Sequence, residues 1–143
     1  MKKVASAAFV FALLGTAAAF ADAHDDRAAV MRSNAGTAKA LGNLVTNFDA
    51  AQVKAQGQIL VDNGHKIMAL FAAGTDRNDP GAAPAIWTDA AGFQAIASKF
   101  VTDATAVMNA ADGPALKAAL TTLQGNCGAC HKQYRIQAPP RPQ

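Results

Sequence analysis

Apolar residues return along this chain at steps of three and four, in four stretches separated by polar or glycine- and proline-bearing breaks. That is the period of a helix with one buried face, and no stretch shows the alternating, β-branched pattern of a strand. The first helix is expected from Asp25 to Asn47, with a buried seam of Met31, Asn34, Ala38, Leu41, Val45 and Phe48. The second opens at Asp49, whose carboxylate suits the free amides of a first turn, with Gln52 three residues on. Its seam reads Val53, Gly57, Leu60, Gly64, Ile67 and Phe71, and Gly74 is placed to stop it. Gly57 and Gly64 are expected to admit a neighbouring helix closely, since glycine otherwise costs a helix about 1 kcal/mol.

Residues 75–84 form the one long linker, rich in Gly, Pro, Asn and Asp. The third helix begins near Thr88–Asp89 and buries Phe93, Ile96, Phe100, Ala104 and Val107. In Asp112-Gly113-Pro114 the glycine is read as ending that helix and the proline as opening the next. The fourth buries Leu116, Leu120, Leu123, Cys127, Cys130 and Tyr134, and the prolines after it leave 138–143 as a flexible tail. Four amphipathic helices with short first and last connections pack as an all-α, antiparallel up-down-up-down four-helix bundle.

The start of the chain follows another logic. Met1-Lys2-Lys3 and the apolar run Val4 to Ala19 have the layout of a secretory signal peptide, with cleavage after Ala21 or Ala23. The run is shorter than the ~20 residues a spanning helix needs, so no membrane attachment is expected once it is removed. Residues 22–137 then make one domain outside the cytoplasm, which in a Gram-negative bacterium is the periplasm. Losing Lys2 and Lys3 takes 13 basic residues to 11 against 10 acidic ones, a net charge of +1 for a chain starting at Asp22. No basic run suggests nucleic acid. All ten acids are Asp.

Both cysteines lie in Cys127-Gly-Ala-Cys130-His131, on the inward stripe of the fourth helix. A structural zinc site wants four ligands, and only His24 and His65 remain as further imidazoles. A redox-active Cys-x-x-Cys caps a helix N-terminus in a βαβ setting, whereas this pair sits late in its helix. A buried disulfide or two inert core thiols is the remaining alternative. Covalent haem attachment uses every part: two thioethers to one porphyrin, and the adjacent His as axial ligand to iron. One haem c is the expected cofactor.

On the other side of the iron, helix geometry narrows the choice. Met31 and His131 both fall roughly 8–9 Å from the same end of an up-down bundle, at 1.5 Å per residue. Met68 reaches that depth too, Met108 belongs at the opposite end, and His65 falls off the seam. On spacing alone Met31 reads either as core filler or as ligand.

These features together resemble the class II c-type cytochromes, the family of cytochrome c′ and its low-spin, cytochrome c-556-like relatives. The carriers are the late Cys127-x-x-Cys130-His131 followed by Tyr134-Arg135, the Pro84-Ala85-Ile86-Trp87 element, and Arg27-x-x-x-Met31. The resemblance implies Met31 as sixth ligand in the low-spin branch, where cytochromes c′ leave that position open. It implies that Arg135, and likewise Arg27, pairs with a haem propionate or shapes gas chemistry. The alternative for either is a cation set against the end of a helix dipole. Ile67, Met68, Phe71, Trp87 and Tyr134 are expected in the haem pocket or the core beside it. The function implied is one-electron transfer with transient redox partner proteins, or capture of NO or CO at a five-coordinate iron, by a monomer or a homodimer. Peroxidase chemistry is not expected, for want of a distal His–Arg pair on the first helix.

Overall fold

The computed structural model describes residues 18–75 and 79–136, with side chains from His24 onward. The expected leader therefore lies outside the described residues except for its last four, and the tail 138–143 lies outside them altogether. Four long helices, α1 (Ala18–Asn43), α2 (Ala50–Leu70), α4 (Ala90–Met108) and α5 (Gly113–Tyr134), form an antiparallel four-helix bundle. A single-turn helix, α3 (Ala85–Thr88), precedes α4. Pro84 precedes it as the cap, so it takes in the Ala85-Ile86-Trp87 part of the Pro84-Ala85-Ile86-Trp87 element, which the periodicity did not mark as helical.

Three of the helix starts have one cause. Asp49, Asp89 and Asp112 each accept a hydrogen bond from the amide three residues on, Gln52 at 3.0 Å, Gly92 at 3.2 Å and Ala115 at 2.8 Å. A short carboxylate at this position satisfies a donor that has no partner within the helix. The ends differ more from expectation. α1 stops at Asn43 instead of Asn47, because Leu44 and Val45 turn off with amides bonded back three residues to Leu41 and Gly42. α2 stops at Leu70, and Gly74, at φ 81°, shapes the turn beyond it rather than capping the helix. Gly113 does not end α4 but is the first residue of α5, pressed against the Val45 carbonyl where a side chain would collide.

Helix α2 packs on α1 and on α4, and α4 packs on α5, while α1 and α5 meet only slightly. Close approach of α2 and α4 uses both expected glycines. A Cβ on Gly57 would lie 2.5 Å from the Met108 Cα, and one on Gly64 2.7 Å from Val101 Cγ2. Around Leu41, Val53, Leu60, Val107, Leu116 and Leu123 the core is sealed at the end with the two short connections. The second cluster, with Val30, Ile67, Ile86, Phe93 and Tyr134, fills the opposite end. Asn34, a polar residue in the expected seam, accepts from the buried Asn63 of α2 at 2.8 Å. Leu41 holds its expected place, and Val45 and Phe48 pack against the core beyond the helix, but the first half of the α1 seam is shifted. Arg27, Val30, Thr37 and Leu41 are the buried positions, and Met31 and Ala38 are only partly covered because they face a cavity.

Candidate functional site

The gap between α1 and α5 is a cavity of about 590 Å³, within the size range of cofactor sites. Its α1 wall is built by Ala28, Met31, Ala35 and Ala38, spaced three or four apart so that they share one face. Three alanines keep that wall low, and Met31 is the one long apolar side chain on it. Leu123, Cys127, Cys130, His131 and Tyr134 make the α5 wall. Ile67 and Phe71 of α2 and Phe93, Ile96 and Phe100 of α4 close the back.

The two thiols are half-buried and unbridged. Burial pushes the Cys127 thiol up, and burial together with Cys127 raises Cys130 to about 11. Thiols held neutral in this way lack the thiolate that disulfide exchange needs. Burial, then the Arg135 charge, holds His131 below the usual histidine range, which keeps its imidazole neutral with a lone pair for a metal. Among the described residues, no three His, Cys or acidic side chains converge on a metal site of their own.

Tyr134 closes the α5 wall under constraint from α4. Its hydroxyl donates to Asp89 at 2.7 Å, and Gln133 donates to the same oxygen at 3.1 Å. Burial and that carboxylate push the tyrosine up to about 12. Edge-to-face rings continue inward, with Phe93 5.3 Å from Tyr134 and Phe71 5.3 Å from Phe93.

Arg27 is the main surprise. It is 4% exposed, and its guanidinium donors are engaged by the protein itself. Nε and Nη2 donate to the Leu70 carbonyl at 3.0 and 2.8 Å, Nη2 also to Thr75 O at 2.7 Å, and Nη1 to Asp79 Oδ2 at 2.8 Å. The group stacks on Phe71, 4.5 Å from the ring centroid. The Leu70 carbonyl it holds is at the C-terminal end of α2, where a cation is favoured, and Arg27 also lines the cavity. Burial would raise the Asp79 carboxyl, but hydrogen bonds from Arg27, the Gly81 amide and His24 hold it below the usual carboxylate range. His24 sits 3.1 Å from Asp79 at the cavity rim, so α1 does carry a His and an Arg near each other, both tied to Asp79.

The remaining expected residues divide. Ile67, Phe71, Tyr134 and Arg135 line the cavity. Trp87 lies outside it, donating to Ala72 O at 3.2 Å behind Phe71. Met68 is also outside, against Ser98 at 3.9 Å, because the α2 face toward the cavity is taken by Ile67 and Phe71. His65 is exposed and Met108 stands at the far end beside Gly57. Asp79, a linker residue with no periodic signal, was not expected at the site, nor were Ala28 and Ala35, which the helical period could have shown; Ala38 was expected in the α1 seam.

Comparison with known proteins agrees with this geometry. The family described as cytochrome c′ matches residues 22–135. The chain is 33% identical to a cytochrome c-556 of Agrobacterium fabrum over 141 residues, covering 94% of this chain and 96% of that one. It is 31% identical to a cytochrome c′ of Rhodopseudomonas palustris, over 86% of this chain and 88% of the relative. The crystal structure of Alcaligenes xylosoxidans cytochrome c′ superposes with a TM-score of 0.74 at 29% identity, covering 82% of this chain and 97% of that one. A haem fits the residues present: a largely apolar slot of cofactor size, two neutral thiols one turn apart and a neutral imidazole on one wall. Cys127, Cys130 and His131 are therefore the attachment site of a covalent haem c. By sequence along most of its length, and by fold, the chain belongs to the cytochrome c′ family.

Proposed function

We propose that this chain is an exported one-electron carrier in which His131 and Met31 supply the two axial ligands. Bound haem c supplies the chemistry, a single-electron couple between ferric and ferrous iron. The observation that carries the reading is that Met31, the one long apolar side chain among the α1 residues lining the cavity, shares that cavity with Cys127, Cys130 and His131. A Met31 thioether bound to the iron would favour its reduced state and raise the potential. The back wall is apolar, and the Tyr134–Asp89 bond fixes the end of the helix that carries His131. His24 Nδ1 and Arg27 Nη1 are both turned to Asp79, which supports electron transfer with no enzymatic step.

The leader-like N-terminus supports a periplasmic location. Among the described residues, no helix is long and apolar enough to cross a membrane. Partners are other redox proteins met through small, transient contacts.

A second reading has its own support. Ala28, Ala35 and Ala38 leave room beside Met31 for a diatomic molecule, as a five-coordinate protein binding NO or CO would need. The Met31→Ala variant separates the two. The carrier reading expects a low-spin wild-type spectrum with a sulfur-to-iron band, and a high-spin, CO-binding variant. Indistinguishable spectra for wild type and variant would reject Met31 as ligand.

A further inference from the structure

The proposed axial groups stand on α1 and α5, two helices that scarcely touch. At the end holding Met31 and His131 they are joined through the segment 79–83. Toward α1, Asp79 takes the Arg27 Nη1 hydrogen bond at 2.8 Å and lies 3.1 Å from His24 Nδ1. Toward α5, the Ala83 amide donates to Tyr134 O at 3.0 Å, and the Ile136 amide donates to Gly81 O at 3.1 Å. Asp79 Oδ1 also accepts from the Gly81 amide at 2.8 Å, so the carboxylate gripping α1 and the peptide gripping α5 belong to one turn. Ala82, between them, is buried and faces the cavity. Arg27 precedes Met31 by one helical turn, and Tyr134 follows His131 by nearly one.

We infer that residues 79–83 are a strut that sets the spacing of the two cavity walls, with Arg27 as the positioning residue that fixes its α1 end. The consequence for ligation rests on the His131/Met31 reading; the strut itself does not. Groups on separate helices that must converge on one atom need placement to roughly 0.5 Å, which helices in slight contact do not provide alone. Arg27 can provide it because the guanidinium is immobile: two carbonyls, one carboxylate and the Phe71 ring hold it from different directions. With the strut released, the Met31 wall is held only by the packing of α1 on α2 and its slight contact with α5, and its distance from the α5 wall is less closely fixed.

The test compares haem-loaded wild type with Asp79→Asn and Arg27→Gln. Asparagine keeps the shape of Asp79 and an acceptor for the Gly81 amide, so it serves should the arginine variant fail to fold. Amide hydrogen exchange at Ala83 and Ile136 is expected to quicken about tenfold or more in each variant, with the Leu60 amide unchanged as a control within α2. The low-spin fraction falls in step, and CO binds the reduced variants more readily than wild type. Unaltered exchange at both amides overturns the strut. Faster exchange with CO binding and spin state unmoved overturns its role in spacing the walls. If wild-type protein is itself high-spin, the ligation reading falls separately, and exchange alone decides the strut.

Discussion

A buried guanidinium is tolerated when each donor has an acceptor, and Arg27 has three. Removing one partner of such a pair leaves the other buried and unpaired, so Arg27→Ala should lower unfolding free energy by roughly 3–5 kcal/mol in denaturant titrations. A loss below about 1 kcal/mol would instead class it with exposed ion pairs. Asp79 makes the same bond visible in pH. Its folded pKa lies below the unfolded value, so its contribution is present above ~4 and disappears as pH falls through the folded value. Asp79→Asn should therefore show a shallower decline in melting temperature below about pH 4 than wild type. The Arg27-x-x-x-Met31 spacing was legible in the sequence. Its partner was not, since Asp79 lies 52 residues away in a linker where neither period nor capping marks a position.

Among the elements, the uniform choice of Asp over Glu gains a partial explanation. Three of the ten acids cap helices, where the shorter side chain reaches the N3 amide, and Asp79 binds Arg27. Glycines divide by surroundings. Gly36, in α1 with nothing within 4 Å of a built Cβ, should gain about 0.5–1 kcal/mol as alanine. Gly113→Ala meets the Val45 carbonyl and should cost about 1–3 kcal/mol, so thermal melts of the two variants should move in opposite directions. At the far end of α5, Tyr134 titrates near 12 when folded against about 10 unfolded. Its contribution is whole below about pH 10 and is lost as pH rises toward 12, a dependence that melts of Tyr134→Phe should lack. The α2 seam was readable because that helix buries one continuous stripe. On α1 part of the stripe faces a cavity, so an apolar period could not tell core from site. α1 and α4 both end early in turns whose amides bond back three or four residues, Leu44 to Leu41 and Ala110 to Val107 among them, which an apolar period does not mark.

For the whole molecule, the bundle followed from four helical periods and three connections, and the haem attachment from five consecutive residues, Cys127 to His131. The separation of α1 from α5 did not, because it arises from what the other helix pairs do: α2 closes on α4 through glycines, leaving the slot on the opposite side. That slot places Met31 across from His131, and electron transfer as against gas capture depends on whether the thioether binds. The visible spectrum of the purified, oxidised wild-type protein, followed by reduction under CO, tests this most directly. The account predicts a low-spin spectrum with a sulfur-to-iron band and little CO binding after reduction. A high-spin spectrum with prompt CO binding would contradict it.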